Sequence, residues 1–138
     1  MNPLVLNEAG TVLYVANTTS NSVSVVDTGT NAVLTTIAVG LDPASLAVRP
    51  TANELWGSNH VSDTVSIIDI APGSPTENSV IDTIQALNAD GVTEFDEPVG
   101  IAFTPAGDKA YVALSSRNQI AVINPATRAI TARLNVRA

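Results

Sequence analysis

The chain has no cysteine, one histidine, one methionine, and only five aromatic residues among its 138. The missing cysteine excludes disulfides, thiolate metal ligands and a cysteine nucleophile. Six Lys and Arg face thirteen Asp and Glu, for a net charge of −7, and the few cations form no cluster. A polyanion such as nucleic acid is therefore repelled on average. No apolar run is long enough to cross a bilayer as a helix. The opening Met1-Asn-Pro-Leu-Val-Leu6 has neither the basic start nor the apolar stretch of a signal peptide. Charged residues are only 14% and hydrophobic residues 45%, which argues against disorder. The expectation is one soluble, acidic, globular domain.

What is present is repetition. The stretch Leu13–Asp27 returns 42 residues later as Leu55–Asp69, and 55 residues after that as Ala110–Asn124, with no gap inside any copy. Self-similarity at such a period marks a repeat architecture. The offsets extend outward: Pro3–Leu6 aligns with Ser45–Val48 and Gly100–Phe103, and a turn rich in Gly, Pro or Asn follows each. After the central stretch come Val33–Ile37, Val80–Ile84 and Ile130–Leu134. Each copy thus holds four short β-branched runs divided by turn signals, which predicts four strands.

The third strand of each copy is apolar on both faces: Val23, Val65 and Ile120 on one, Val26, Ile68 and Ile123 on the other. A sheet covered on both sides follows. Tyr14, Trp56 and Tyr111 share one repeat position, with small Ala16, Ser58 and Ala113 two places on. Large beside small at fixed positions predicts close stacking of twisted sheets, so these aromatics are expected in inter-sheet packing rather than on a ligand.

Four strands per copy and covered faces predict an all-β fold of three four-stranded antiparallel β-propeller blades. Blade one is expected over 1–42, blade two over 43–97 and blade three over 98–138. The chain resembles the YVTN family of propeller repeats over nearly its whole length. The resemblance rests on Tyr14-Val-Ala-Asn17, on the Val23-Ser-Val-Val-Asp27 ending and on Gly40-Leu-Asp-Pro43, which loses its glycine in Asp96-Glu-Pro98. The name motif is degraded to Trp56-Gly-Ser-Asn59 and Tyr111-Val-Ala-Leu114. WD-type signatures are absent from the matching places.

Two insertions lengthen the second spacing. One lies in Ile70–Ser79, between the third and fourth strands; the other lies in Leu87–Glu97, between blades. Antiparallel strands put alternate connections at opposite ends. The interblade insertion is therefore expected beside the second-to-third strand loops, 17–22, 59–64 and 115–119, and the Pro-Gly-Ser-Pro insertion at the other end. Insertions in repeat proteins often decorate a binding face.

Three blades sweep only part of a circle. A blade measures about 19 Å by 17 Å from strand spacing and rise, so each terminal blade exposes an apolar face on the order of 300 Å². Neither terminal blade carries the polar outer face of a capping repeat. The chain is expected to be part of a longer propeller, or to close by self-association, a six-bladed homodimer being the simplest case.

Candidate chemistry is sparse. His60, the lone histidine, is expected on the same side as Asp63, Asp90, Glu94, Asp96, Glu97 and Arg117. It reads as a general base or ligand, or as a loop histidine making a turn hydrogen bond. Without a second nitrogen or sulfur ligand a transition-metal site is not expected. Asn88–Asp96 has part of an oxygen-rich calcium-loop pattern but lacks its bidentate glutamate, and reads as a solvated acidic loop. Arg117 reads as an anion clamp or as a surface partner of Glu94 or Asp96. No nucleophile elbow, phosphate loop or haem-attachment motif stands out, and no cofactor is expected.

The YVTN resemblance implies a binding or scaffold module of a larger periplasmic, extracellular or surface-layer protein of bacteria or archaea. Similar propellers include lactonase-like enzymes and others that accompany redox proteins. The residues favour a non-catalytic module with a protein partner or self-association, no nucleic acid and no membrane insertion. A lactonase-like hydrolase needs a polar cluster near the channel, and strand-one residues Leu4, Leu6, Leu46, Val48, Ile101 and Phe103 supply none. A third reading is an acidic docking surface for a basic redox partner such as a cytochrome.

Overall fold

A computed structural model describes residues 2–137. Twelve strands follow in chain order: β1 (Leu4–Leu6), β2 (Val12–Asn17), β3 (Ser22–Asp27), β4 (Val33–Ala38), β5 (Pro43–Arg49), β6 (Glu54–Asn59), β7 (Thr64–Asp69), β8 (Ser79–Ile84), β9 (Pro98–Phe103), β10 (Ala110–Leu114), β11 (Gln119–Ile123) and β12 (Ile130–Asn135). They form three antiparallel four-stranded sheets, β1–β4, β5–β8 and β9–β12, each with its strands in sequence order. The fold is a three-bladed partial propeller, as the repeat predicts. The β-branched residues that recur at each strand position favour the pleated backbone, and turns rich in Gly, Asn and Asp reverse it.

The middle blade is covered on both faces, and strand alternation decides which residue goes where. Trp56, Val65 and Ile67 pack against Ala110, Val112, Leu114, Ala121 and Ile123 of the third blade. Leu55 and Ile68, one residue out of phase, pack against Tyr14, Ala16, Val23 and Val25 of the first. Tyr14 is so enclosed that burial, with a smaller contribution from Glu77, pushes its hydroxyl pKa up to about 12. Tyr111 departs from the shared expectation for the aromatics. It is only half-buried and lines an open apolar hollow with Ile101, Ala113 and Ile120, because no blade follows on that face.

The strand-one side chains also depart from the reading that sets them around the channel. Leu46 packs between the first two blades, and Phe103 meets Trp56 edge-on with ring centroids 5.0 Å apart. In a strand whose side chains alternate between faces, only the backbone edge is left to face the axis.

The second and third blades are also joined by a polar strut. Glu54, at the start of β6, accepts hydrogen bonds from Arg128 (3.0 and 2.8 Å), from Arg49 (3.1 Å) and from the Trp56 indole (3.2 Å). Burial alone pushes the Glu54 carboxyl up, but the bonds from Arg128, Trp56 and Arg49 outweigh it and hold the pKa below the ordinary value. The Arg128 guanidinium also stands 5.9 Å from the Trp56 ring centroid.

Candidate functional site

The end of the molecule that carries the β2–β3, β6–β7 and β10–β11 loops also carries the interblade insertion. Two repeated backbone devices fix it. Asn21, Asp63 and Asn118 each take a left-handed conformation (φ 53°, 58° and 51°) just before or at the entry to the third strand of a blade. Short polar side chains tolerate this region best. The Asn21 side-chain oxygen accepts the N–H of Asp42 at 2.9 Å, and the Asp63 carboxylate accepts that of Glu97 at 2.8 Å. In each case the loop of one blade grips the chain as it enters the next.

Beneath these loops lies a second device. Asn17 donates to Ser22 and Ser24 (3.1 and 2.8 Å), and Asn59 donates to Thr64 and Ser66 (3.1 and 2.9 Å). In the third blade the corresponding residues are Leu114, Gln119 and Ala121. Leu114 and Ala121 are buried with Phe95, which occupies the place of Gly40. A buried amide needs its partners, so the asparagine and its hydroxyls are exchanged together.

The insertion 87–97 is therefore a built structure. Phe95 is fully buried in the core between the second and third blades. Leu87 bridges to Thr93, Asn88 accepts from its own loop at Asp90 and Val92 (2.9 and 3.0 Å), and Glu94 N–H donates to Ala86 at 2.7 Å. Arg117 pairs with Asp96 and donates to the Thr93 carbonyl at 3.0 Å, so of its two expected partners Asp96 is the one engaged. Ser115 N–H donates to the Glu97 carbonyl at 3.1 Å.

The expected site residues divide into two groups. His60, Asp63 and Asp96 line one cleft of about 260 Å³ with Val61, Glu97 and Ser116, and Arg117 is held at its edge by Asp96. Asp90 and Glu94 stand apart as exposed carboxylates on the outer loop. His60 also borders a second cavity of about 340 Å³ with Pro3, Thr18, Asp42, Ala44 and Val99, where the first strands of all three blades converge. Its Nδ1 is enclosed and has no partner among the described residues. Sequence reading missed Asp42 and Thr18. Their signal was positional, since Thr18 shares the repeat position of His60 and Asp42 that of Glu97.

Among the described residues no three His, Asp or Glu side chains are grouped as a metal ion requires. The residues whose protonation is most clearly shifted by a charged partner, Glu54 and Arg128, join the blades at the opposite end. Among the described residues no helix is long and apolar enough to cross a membrane.

No protein-family model matches the sequence, and no curated protein matches it. Solved structures do. A chain of Kuenenia stuttgartiensis hydrazine synthase superposes with a TM-score of 0.79 at 31% identity, over 94% of this chain and 34% of that one. A Bacteroides fragilis protein described as a candidate 6-phosphogluconolactonase superposes at 0.77 with 17% identity, over 96% and 38%. The dihydro-heme d1 dehydrogenase NirN, in complex with DHE, superposes at 0.72 with 20% identity, over 96% and 27%. The last two likenesses bear on fold alone. The chain spans about a third of the length of these structures. With the three sheets, they define the class: a β-propeller segment.

Proposed function

We propose that the chain is a YVTN-type propeller module that works by binding, as a non-catalytic part of a larger exported or surface-associated bacterial or archaeal protein. Its working surface is the loop end formed by 59–64, 87–97 and 115–119. The observation that carries this reading is the anchored insertion. Phe95 is buried, Asp96 is paired with Arg117, and the Glu97 N–H is held by Asp63, so an acidic surface is presented in one fixed shape. A preorganised surface loses little entropy on binding.

Asp42, Asp63, Asp90, Glu94, Asp96 and Glu97 belong to this end against three arginines: Arg117, paired with Asp96, Arg133, which donates to the Glu94 carbonyl, and Arg137, which lines a hollow with Arg117. That balance favours a basic partner, and a redox protein such as a cytochrome is the specific case. The lactonase-like alternative needs a polar cluster near the axis, and the first strands offer instead Leu46, Val48, Ile101 and Phe103 in apolar packing between blades.

Hydrolysis of 6-phosphogluconolactone by the purified chain tests the non-catalytic reading. The expected rate equals that of buffer. A faster rate that disappears in His60→Ala overturns it.

A further inference from the structure

Half of the six cations in the chain stand together beside the interblade insertion. Arg117 donates to the Thr93 carbonyl at 3.0 Å and Arg133 to the Glu94 carbonyl at 2.6 Å, so two guanidiniums reach consecutive residues of that loop. Arg137 shares a hollow of about 560 Å³ with Arg117, Ser116, Gln119 and Asn135. The corresponding positions hold no cation in the other blades: Ser20, Thr36 and Gly40 in the first, Ser62, Thr83 and Leu87 in the second. Strand register sets the side on which the hollow opens. Gln119 pairs with Asn135 and Ala121 with Arg133, and Ala121 is buried in the core shared with the second blade. Side chains alternate along a strand, so Gln119, Arg133 and Asn135 share that inner side, while Ile120 lies on the outer one with Tyr111. The hollow therefore belongs to the loop end of the third blade on its inner side, and not to the face that a further blade would cover.

We infer that this hollow binds the phosphate group of a small soluble molecule. Its polar lining is rich in donors. Arg117 engages Asp96 through Nε and the Thr93 carbonyl through Nη2, which leaves the rest of its five N–H groups. Arg137 is exposed and forms no ion pair among the described residues. Asn135 accepts the Gln119 amide on its carbonyl oxygen at 3.1 Å, so its own amide nitrogen is left to donate. Ser116 adds a hydroxyl. Two guanidiniums and an amide around one concavity call for a ligand with several acceptor oxygens, and a phosphate offers more acceptor directions than a carboxylate. Anchoring the insertion accounts for Arg117 and Arg133, but it gives no role to Arg137, whose hollow includes no residue of that loop. The net charge of −7 opposes an anion at long range, yet physiological salt screens that field beyond about 8 Å, within which the direct bonds act. The same net charge, with exposed Asp90 and Glu94 on the neighbouring loop, disfavours an extended anionic surface such as a membrane, so the phosphate belongs to a small molecule. The site is independent of the carboxylate surface proposed above, and either can exist without the other.

Two-dimensional NMR of the isotopically labelled chain, titrated with inorganic phosphate at neutral pH and constant ionic strength, tests the site. Saturable shifts are expected at 115–119 and 133–137, with a midpoint in the millimolar range, and only weak, unsaturated shifts with acetate. Arg137→Gln should weaken phosphate binding about tenfold or more, as loss of a charge-assisted bond does, with an unchanged β-sheet circular dichroism spectrum. Lys109→Gln removes the same charge from the turn between β9 and β10, at the opposite end of the blade, and should bind as the wild type does. Glycerol 3-phosphate should shift the same residues, and vesicles carrying phosphatidic acid should not sediment the chain. No saturable shift with phosphate overturns the inference, as does an Arg137→Gln chain that binds like the wild type. Equal weakening in Arg137→Gln and Lys109→Gln marks diffuse attraction and overturns it too. Saturation by acetate at the same midpoint overturns the assignment to phosphate, and sedimentation with the vesicles without binding of glycerol 3-phosphate overturns the soluble source.

Discussion

A Cβ placed on Gly40 would lie 2.7 Å from Cγ of the Asn59 side chain, closer than real side chains approach. Asn59 cannot step aside, because its amide donates to Thr64 and Ser66 and the residue is fully buried. Glycine before the second blade and asparagine within it are therefore one feature. In the third blade the same two positions hold Phe95 and Leu114, where an apolar contact replaces the close polar one. Gly40→Ala is expected to cost about 1–3 kcal/mol, as overpacking does. Urea unfolding should show it as a lower midpoint with an unchanged slope.

Trp56 is the single tryptophan and has no exposed surface. It packs on Phe103 and donates to Glu54, so it joins two blades. Its emission should be blue-shifted and resist acrylamide quenching in the native state, and unfolding should reverse both. Trp56→Ala is expected to cost about 3–5 kcal/mol, a large share of the about 5–15 kcal/mol that holds an ordinary domain folded.

The Glu54 strut sets a direction for pH dependence. The folded carboxyl titrates below its ordinary value of 4.5, so it stabilises the fold fully above that value. The contribution is lost as pH falls through the folded pKa. Asp69, lowered by bonds from Ser74 and Thr76, acts in the same direction. Thermal midpoints should therefore fall on acidification below about pH 5, and fall less steeply in Glu54→Gln. The variant itself should be less stable at neutral pH by about 1–2 kcal/mol, below the value for a fully buried pair because the strut is partly solvated. An equal acid slope in both proteins would show that Glu54 is not the group responsible.

The insertion owes its order to Phe95 more than to its ion pair. Arg117→Ala removes an exposed pair with Asp96 and is expected to cost at most about 1 kcal/mol. Phe95→Ala empties a fully buried site and should cost about 3–5 kcal/mol. Limited proteolysis within 87–94 should accelerate strongly in Phe95→Ala and little in Arg117→Ala.

Much of this was readable in the residues because the repeat supplied three aligned copies of each strand. The offset that sets Trp56 over Tyr14 also gives the strands, the covered faces and the end that carries each insertion. Contacts between blades were not readable in the same way. Glu54 and Arg128 are 74 residues apart and occupy repeat positions filled by other residue types in the other copies. Phe95 holds the repeat position of Gly40, a glycine that gives no hint of a buried aromatic, so the anchor read as part of a solvated loop. Arg117 had two carboxylates within reach of its sequence position, and only the path of the loop selects Asp96. The enclosed Nδ1 of His60 depends on how three blades converge, which no single repeat encodes.

The most direct test of the binding account is a titration of the isotopically labelled chain with a basic cytochrome c, followed by two-dimensional NMR at low and high salt. The account predicts shifts confined to residues 59–64, 87–97 and 115–119, weakening steeply as salt rises. Shifts centred instead on the opposite end, at 7–11 and 70–79, or no shifts at low salt, would contradict it.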